Sequence, residues 1–242
     1  MTNDDSMTSR HGSKGPQHIA IIPDGNRRWA RMKGLRLMQG YSMGIDKIID
    51  VGLWAKTLGV KTLSVWALST ENIVGRGRHE ISLLFKLYTK AVYDKKILKM
   101  LSDNHARVNV IGNLSLLPAK LRRGLLLLQK KTREYKDLSI NLLIGYGGRD
   151  DIAFALKRLY ANRILPKHLD SKTIASMLMT ATVPDVDLII RTSGEKRLSG
   201  LLPWQSNYSE LYFSRKYWPD FSRSDLKRAV DTYKKRERRF GR

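Results

Sequence analysis

Short apolar runs alternate with amphipathic segments along this chain from residue 17 onward. The apolar runs have the length of β-strands and lie at 18–22, 62–68, 107–112, 138–144, 187–190 and 210–213. Between them, apolar residues recur at helical spacing, which predicts helices over 41–58, 80–101, 151–161, 171–179 and 225–236, and another that begins at Pro118. This unbroken alternation predicts one α/β domain, with a mostly parallel central sheet flanked by helices.

Residues 1–16 stand outside this alternation. They are polar and contain serine, glycine and proline, so we expect a disordered tail followed by a folded domain over 17–242. Residues 1–17 lack the apolar core of a signal peptide, and the chain has no apolar run of the roughly 18–20 residues that a membrane span needs. The sequence therefore predicts a soluble protein that is at most peripheral to a membrane.

The charge balance is extreme. The chain has 242 residues, with 45 lysines and arginines against 22 acidic residues, for a formal net charge of +23. Such a field attracts nucleic acid, an anionic membrane surface or phosphorylated small molecules, and it does not choose among them. The chain has no cysteine, which excludes disulfides, Cys-ligated zinc and thiol catalysis and is compatible with a cytoplasmic protein.

Polar residues cluster where four of the predicted strands end, at 24–28, 69–72, 145–149 and 191–199. In an open parallel sheet, ligands bind beyond these carboxyl ends. The four stretches are rich in arginine, serine, asparagine and glycine, and this set suits a diphosphate because guanidinium groups bind phosphate oxygens bidentately. Taken alone, Asp24-Gly25 is typical of a surface turn. Asp24 and Glu210 fit a diphosphate site only if a divalent cation is shared with the phosphates.

Several other chemistries lack their sequence signatures. The chain contains no G-x-x-x-x-G-K-[ST] phosphate loop, no G-x-S-x-G nucleophile elbow and no H-E-x-x-H metal motif. Its five histidines include no pair four residues apart, so they predict no metal cluster.

The polar blocks, in their order along the chain, resemble those of the cis-prenyltransferase family. The resemblance rests on His18–Ala30, Ser69-Thr70-Glu71-Asn72, Tyr146-Gly147-Gly148-Arg149, Asp187–Ser199 with its continuation to Glu210, and Arg236–Gly241. These blocks occur in order from residue 17 to residue 241, so the resemblance extends over nearly the whole chain, and the Pro23–Arg28 version is similar to that of archaeal members. The Asp187–Ser199 block is the most specific of them.

This resemblance implies an enzyme that adds isopentenyl diphosphate to an allylic diphosphate with Mg²⁺ and forms cis double bonds. It implies a metal site at Asp24 and Glu210, and condensation beside Ser69 and Asn72, with Asp24 also assisting departure of the diphosphate. The substrate-binding residues that it implies are Gly25, Asn26, Arg27, Arg28, Trp29, Arg36, Tyr41, Arg76, Arg191, Arg197, Ser199 and Arg239. Arg239 and Gly241 match a C-terminal Arg-x-Gly that reaches a partner's active site, which implies a homodimer.

The growing chain needs a hydrophobic tunnel, which we expect between the sheet and the helices over 41–58 and 80–101. Ala67 and apolar residues such as Leu83, Leu87 and Ala91 are candidates for its wall, although most such side chains belong to an ordinary core. The product of this tunnel would be the precursor of a glycosyl carrier lipid. A soluble enzyme that releases such lipids would profit from contact with an anionic membrane.

The chain departs from the family pattern at several positions. Tyr41 stands where the family usually has histidine, and Leu37, Ile73, Gly145 and Gly200 also differ from the usual residues. These changes bear mostly on the allylic side, so two reactions stay open. One is elongation of geranylgeranyl or farnesyl diphosphate, and the other is head-to-middle coupling of allylic diphosphates such as dimethylallyl diphosphate. A non-catalytic subunit or a nucleic-acid binder is disfavoured because Asp24, Arg191 and Arg197 are retained.

Overall fold

Six strands form one sheet in the computed structural model, which describes residues 15–236. The strands are β1 (His18–Ile22), β2 (Thr62–Ser69), β3 (Ala106–Ile111), β4 (Leu138–Tyr146), β5 (Leu188–Arg191) and β6 (Glu210–Phe213). Their spatial order is β3-β4-β2-β1-β5-β6, and each neighbouring pair is parallel. The predicted sheet is confirmed, and it is entirely rather than mostly parallel within the described residues.

Helices cover both faces of this sheet, as predicted. They are α1 (Asn26–Met32), α2 (Leu37–Thr57), α3 (Thr70–Gly75), α4 (Arg78–Val92), α5 (Lys95–Asp103), α6 (Ala119–Thr132), α7 (Gly148–Ala161), α8 (Ser171–Met177) and α9 (Arg223–Lys234). None of the helices within residues 15–236 combines the length and hydrophobicity needed to cross a bilayer.

Alternation along β1 divides the core between the two faces. Ile19 and Ile21 pack with residues of α2 and α9, whereas Ala20 and Ile22 pack with Leu201 on the other side. A third cluster lies between α2, α4, α6 and the β3–β4 side of the sheet. Because parallel strands are covered on both faces, they read as continuous apolar runs, which is why the sequence located them well.

The helix predicted over 80–101 is wrong as a single element. It consists of α4 and α5, which are separated at Tyr93 and Asp94. The Asp94 side chain accepts a hydrogen bond of 2.8 Å from the Lys96 backbone N–H and so caps the start of α5. An apolar stripe that continues across the break concealed this capping signal.

The predicted tail also needs a small correction at its end. Pro16 is buried, and the Gly15 carbonyl accepts a hydrogen bond from the Gln17 side chain, so these two residues belong to the folded part. The backbone N–H groups of Gln17 and His18 both donate to Asp187, which fixes the entry into β1. Residues 1–14 lie outside the described residues.

Candidate active site

Asp24 lies just beyond the carboxyl end of β1, where the register of the sheet pairs Ile22 with Arg191 of β5. Its backbone is held across this junction by Thr192: the Asp24 N–H donates to Thr192 Oγ1 at 2.9 Å, and the same hydroxyl donates to the Asp24 carbonyl at 2.7 Å. Gly25 follows with φ +104°, and a Cβ there would come within 2.6 Å of the Tyr217 ring. Glycine is therefore required at this turn.

Two arginines hold the Asp24 carboxylate. Arg191 Nη2 lies 2.9 Å from Asp24 Oδ2, and Arg28 Nη2 lies 3.5 Å from Oδ1. Burial alone would raise the pKa of Asp24, but the hydrogen bond and charge of Arg191 outweigh it and hold this pKa below its ordinary value. Asp24 is thus an anion at neutral pH, and its side chain is still 28% exposed to the adjoining cavity.

The loop after β5 supplies hydroxyl groups to the same arginines. Arg28 donates to Ser193 Oγ at 2.7 Å, and Arg191 donates to Ser199 Oγ at 2.9 Å and to the Arg197 carbonyl. Ser193 and Ser199 both have left-handed backbones, with φ of 75° and 54°. Non-glycine residues rarely adopt this conformation, and it occurs preferentially at functional sites.

Glu195 also belongs to this cluster. It lies within the Asp187–Ser199 block, but the sequence alone assigned it no role. Its carboxylate lies 2.9 Å from Arg28 and 2.6 Å from Arg197, so it joins two predicted phosphate-binding residues. Hydrogen bonds from Arg197 and Arg28 lower the pKa of Glu195. Glu195 lies between Arg191 and Arg197 in the sequence, and this position was the signal that could have identified it.

A second polar cluster lies on the opposite side, where α2, α3 and α4 meet. The Tyr41 hydroxyl donates to Glu80 Oε1 at 2.5 Å and accepts from Arg76 Nη1 at 2.8 Å. Arg76 also contacts Glu80 at 3.1 Å and donates from Nε to Asn72 Oδ1 at 3.2 Å. Burial and the hydrogen bond to Glu80 raise the pKa of Tyr41, so the residue remains a neutral phenol.

The two predicted condensation residues lie at the start of α3. Ser69 Oγ accepts from the Asn72 backbone N–H at 3.0 Å and caps this helix. Because Asn72 Oδ1 is engaged by Arg76, its amide N–H groups are the part available to a ligand. Both residues line the main cavity.

That cavity has a volume of about 860 Å³ and joins the polar clusters to an apolar interior. Asp24, Asn26, Arg76, Arg191 and Ser199 line its polar end. Its apolar wall comes from α2, β2 and α4 and includes Ile45, Ile48, Trp66, Ala67, Leu68, Leu84 and Tyr88. The predicted hydrophobic tunnel between the sheet and two helices is confirmed.

A smaller cavity of about 90 Å³ lies behind the first and shares Ile45, Ile48 and Tyr88 with it. Its lining is apolar, extends to residues of α5, β3 and β4, and includes Ala91. Leu83 and Leu87 instead pack against the core cluster beside α4.

Arg27 joins the α1 side of the site, where a cavity of about 360 Å³ is lined by Asp24, Gly25, Arg27, Arg28, Tyr41 and Arg76. Arg31 also lines this cavity, although the sequence reasoning did not select it. One helical turn separates Arg27 from Arg31, and this spacing was the available signal.

Three predicted site residues lie elsewhere. Trp29 is 5% exposed and does not line the main cavity, because it occupies the buried face of α1. Arg36 is exposed at the start of α2, where its backbone N–H donates to the Gln39 side chain. Glu210 begins β6 opposite Leu188, at the other end of the sheet, and pairs with Arg236. Arg239 and Gly241 lie outside the described residues.

The residues present fit Mg²⁺ only as a site shared with a substrate. No group of three His, Cys, Asp or Glu side chains within residues 15–236 could hold a metal ion. Within one chain, three strand positions, or about 10 Å, separate Glu210 from the β5 end beside Asp24. Mg²⁺ is commonly bound by one or two carboxylates together with substrate phosphates, and Asp24 satisfies that requirement.

The departures from the family pattern have distinct structural settings. Leu37 and Ile73 pack partly buried against the core cluster beside α4. Gly145 has φ +63°, and a Cβ there would lie 2.8 Å from the Asn113 carbonyl oxygen. Gly200 has φ +93° and lines the main cavity. Among these positions, Tyr41 is the one whose side chain takes part in a polar cluster of the site.

Comparison with known proteins gives consistent results. The sequence profile of the Prenyltransf family, described as undecaprenyl diphosphate synthase, matches residues 22–241. Two archaeal relatives are named tritrans,polycis-undecaprenyl-diphosphate synthase (geranylgeranyl-diphosphate specific). The protein from Thermoplasma acidophilum is 43% identical, covering 94% of this chain and 89% of its own, and that from Methanopyrus kandleri is 42% identical, covering 94% and 85%.

A solved structure is also similar: lavandulyl diphosphate synthase from Lavandula x intermedia in complex with dimethylallyl diphosphate. It superposes with a TM-score of 0.90 at 33% identity, covering 94% of this chain and 99% of that one. The fold, the cavity and these matches lead to one conclusion: the chain belongs to the undecaprenyl diphosphate synthase family of prenyltransferases.

Proposed function

We propose that this protein condenses isopentenyl diphosphate onto geranylgeranyl diphosphate and elongates it with cis double bonds to a polyprenyl diphosphate. The observation that carries the proposal is one cavity of about 860 Å³ with arginines on two sides of its polar end and an apolar wall behind them. Two anionic heads and one long apolar tail require such an arrangement. The printed specificity of the archaeal relatives supports geranylgeranyl over farnesyl diphosphate as the starter.

In this proposal the two polar clusters divide the substrates. Arg27, Arg28 and Arg76 face the allylic diphosphate, and its tail extends along Ala67 and Tyr88. Arg191, Arg197 and Ser199 bind the diphosphate of isopentenyl diphosphate. As the allylic C–O bond breaks, negative charge grows on the leaving diphosphate, and guanidinium groups already in position stabilise it.

The bond-forming carbons meet beside Ser69 and Asn72. The C4 carbon of isopentenyl diphosphate attacks C1 of the allylic chain, and a proton is then lost from C2 of the added unit. The amide of Asn72, held by Arg76, orients the reacting diphosphates, and the apolar wall excludes water from the cation. Asp24 would hold Mg²⁺, which when bound supplies Lewis-acid stabilisation of the departing diphosphate.

We also propose that the protein is a cytoplasmic homodimer in peripheral contact with an anionic membrane. Its product would be the precursor of a glycosyl carrier lipid. The exposed side chains of Ile152, Leu156 and Tyr160 support the dimer, since they follow one another at four-residue spacing on the surface of α7. A second copy would bury this stripe, and the C-terminal Arg239 of each chain would reach the active site of its partner.

Head-to-middle coupling of two allylic diphosphates is the second candidate. The similarity to lavandulyl diphosphate synthase at a TM-score of 0.90 favours it, as does Tyr41 at a position where histidine is usual. In this alternative a second allylic diphosphate takes the place beside Arg191 that the first proposal gives to isopentenyl diphosphate.

The test incubates the purified full-length protein with Mg²⁺, geranylgeranyl diphosphate and ¹³C-labelled isopentenyl diphosphate, and analyses the products by mass spectrometry. A ladder of products, each longer by one labelled five-carbon unit, supports elongation. A parallel incubation with dimethylallyl diphosphate alone tests the alternative. Consumption of dimethylallyl diphosphate into branched products, without any labelled ladder, would replace the first proposal with the second.

A further inference from the structure

Helix α4 borders a cavity on each of two faces. Leu84 and Tyr88 face inward and line the main cavity. The outer side of α4 borders an open groove of about 1110 Å³, which is lined by Ile73, Val74, Arg76, Arg78, Ile81, Ser82, Phe85, Lys86, Thr89, Lys90, Tyr93, Pro118 and Lys120. The lining of this groove combines apolar and basic side chains, and Arg76 belongs to both the groove and the main cavity.

Helix α6 continues the same surface. It packs tightly on the end of α4, because a Cβ at Gly124 would lie 2.5 Å from Val92 and 2.8 Å from Tyr93. Its sequence, AKLRRGLLLLQKKT, contains five basic residues and no acid. Leu126 and Leu127 are 47% and 42% exposed, so the outer side of this helix combines exposed leucines with lysines and arginines. We call the groove together with the outer side of α6 the α4–α6 face.

Carboxylates are nearly absent from this face. Glu80 is the acid of α4, and it points inward to Tyr41 and Arg76. Asp94 is engaged as the cap of α5, and Asp46 of α2 interacts electrostatically with Lys90 at one edge as well as with the carboxylates of Asp50 and Asp94. No salt bridge of the described residues involves Lys86, Lys120 or Arg123. The charge of this face is therefore available to an anionic partner.

We infer that the α4–α6 face docks the protein on an anionic bilayer. Basic groups around exposed apolar side chains are the combination that interfacial binding requires, since lysines and arginines meet anionic headgroups while leucines enter the boundary of the acyl chains. This inference rests on the membrane contact proposed above and names the surface that makes it. It also places the membrane on the outer side of the helix that forms the cavity wall.

Nucleic acid would use the same positive charge but a different apolar component. Binding of single strands relies on aromatic side chains that stack on bases. Val74, Leu126 and Leu127 are the more exposed aliphatic side chains here, at 77%, 47% and 42%, whereas the aromatic rings of the groove are those of Tyr93 and the half-buried Phe85. The composition of the face therefore favours lipid.

The test measures co-sedimentation of the full-length protein with vesicles of equal parts phosphatidylglycerol and phosphatidylcholine, with pure phosphatidylcholine vesicles as the neutral reference. The variant K86E/K120E/R123E reverses three charges on the face. The matched control K136E/K172E/R223E makes the same change in net charge at exposed positions elsewhere. Circular dichroism melting and condensation activity without vesicles establish that both variants are folded.

The inference predicts binding to the anionic vesicles only. It predicts a fall in the partition coefficient of at least about 100-fold for the face variant and of less than about tenfold for the control. The variant L126S/L127S should weaken binding at physiological salt, where the apolar contribution carries a larger share. Equal losses in the two triple variants would overturn the surface assignment, because net charge alone would then explain binding.

Two further outcomes separate this inference from the proposed activity. If the wild-type protein did not bind anionic vesicles but still elongated geranylgeranyl diphosphate, the proposed membrane contact would be overturned and the proposed condensation reaction would not be affected. If a labelled oligonucleotide displaced the vesicles from the wild-type protein, and if K86E/K120E/R123E bound that oligonucleotide more weakly than the wild type, the face would be reassigned to nucleic acid.

Discussion

The two polar clusters at the mouth of the cavity are built on different principles. The cluster around Arg191 is made from a strand end and a loop with left-handed residues, and it holds a carboxylate between charged partners. The cluster around Tyr41 is made from three helices and centres on a neutral hydroxyl between Glu80 and Arg76. The first joins two neighbouring strand ends whose relative position is fixed by the parallel register of β1 and β5, whereas the second depends on how three helices pack.

The largest effect is expected for Arg191→Met. Arg191 is 6% exposed and holds Asp24, Ser199 and the Arg197 carbonyl, so its loss removes a charged anchor and leaves the Asp24 carboxylate without its nearest partner. Steady-state kinetics should show the KM for isopentenyl diphosphate rising at least about 100-fold, and the free energy of unfolding should fall by about 2–3 kcal/mol. The KM for the allylic substrate should change much less.

Arg197→Met is the matched control for that substitution. Its guanidinium is 61% exposed and pairs with Glu195, so we expect a KM increase of about tenfold or less and a nearly unchanged melting temperature. Equal effects of the two substitutions would mean that burial of Arg191 has no special importance in this cluster.

A smaller effect is expected for Tyr41→Phe, and it should concern the allylic diphosphate instead of isopentenyl diphosphate. This change removes the hydroxyl that bridges Glu80 and Arg76 while keeping the ring, and loss of one charge-assisted hydrogen bond corresponds to a rise of about 10-fold in the KM for the allylic diphosphate. The KM for isopentenyl diphosphate should stay within about twofold. Tyr93→Phe, on the outer side of α4, provides the control and should alter neither constant.

The smallest effect on catalysis is expected for substitution of His18, which belongs to a third polar feature that crosses the sheet. His18 Nδ1 donates to the Pro184 carbonyl at 2.9 Å, so its Nε2 accepts from Ser64 Oγ at 2.8 Å. Asn141 donates to Ser64, and Asn109 donates to Asn141, which gives one directed row of hydrogen bonds across four strands. Burial lowers the pKa of His18 and keeps the neutral imidazole that this row needs.

The pH dependence follows from that direction. Because the folded state disfavours the protonated imidazole, the unfolded chain binds the proton more readily, and stability falls as pH drops below about 6.5, the ordinary pKa of histidine. Above that pH this residue adds no further dependence. Chemical denaturation at a series of pH values should show the decline in the wild type and a flatter profile in His18→Gln. A flat wild-type profile between neutral and mildly acidic pH would contradict this account.

The sequence predicted the strands and the β5 side of the site well, because buried parallel strands read as apolar runs and their polar ends stand next to them. Asp24, Arg28, Arg191 and Ser199 accordingly meet in the structure as expected. Properties that depend on packing between helices were less accessible. The break between α4 and α5 is one such property, because the apolar stripe runs across it.

The placement of three predicted site residues away from the cavity has the same origin. Trp29 follows the arginines of the first block in sequence, but the helical rotation of α1 turns it into the core. Arg36 and Glu210 lie near site residues in sequence or in family pattern, yet α2 begins away from the cavity and β6 starts at the far end of the sheet. A linear pattern does not show which end of a strand or which side of a helix a residue occupies.

The central claim is that the two clusters bind two different diphosphates in one cavity. It is tested most directly by calorimetric titration of the wild type, R191M and Y41F with isopentenyl diphosphate and with a geranylgeranyl thiolodiphosphate that resists ionisation. We predict one site for each ligand per chain, with R191M weakening isopentenyl diphosphate and Y41F weakening the geranylgeranyl compound. Mutual competition for a single site, or equal weakening of both ligands by each substitution, would contradict the division of the cavity.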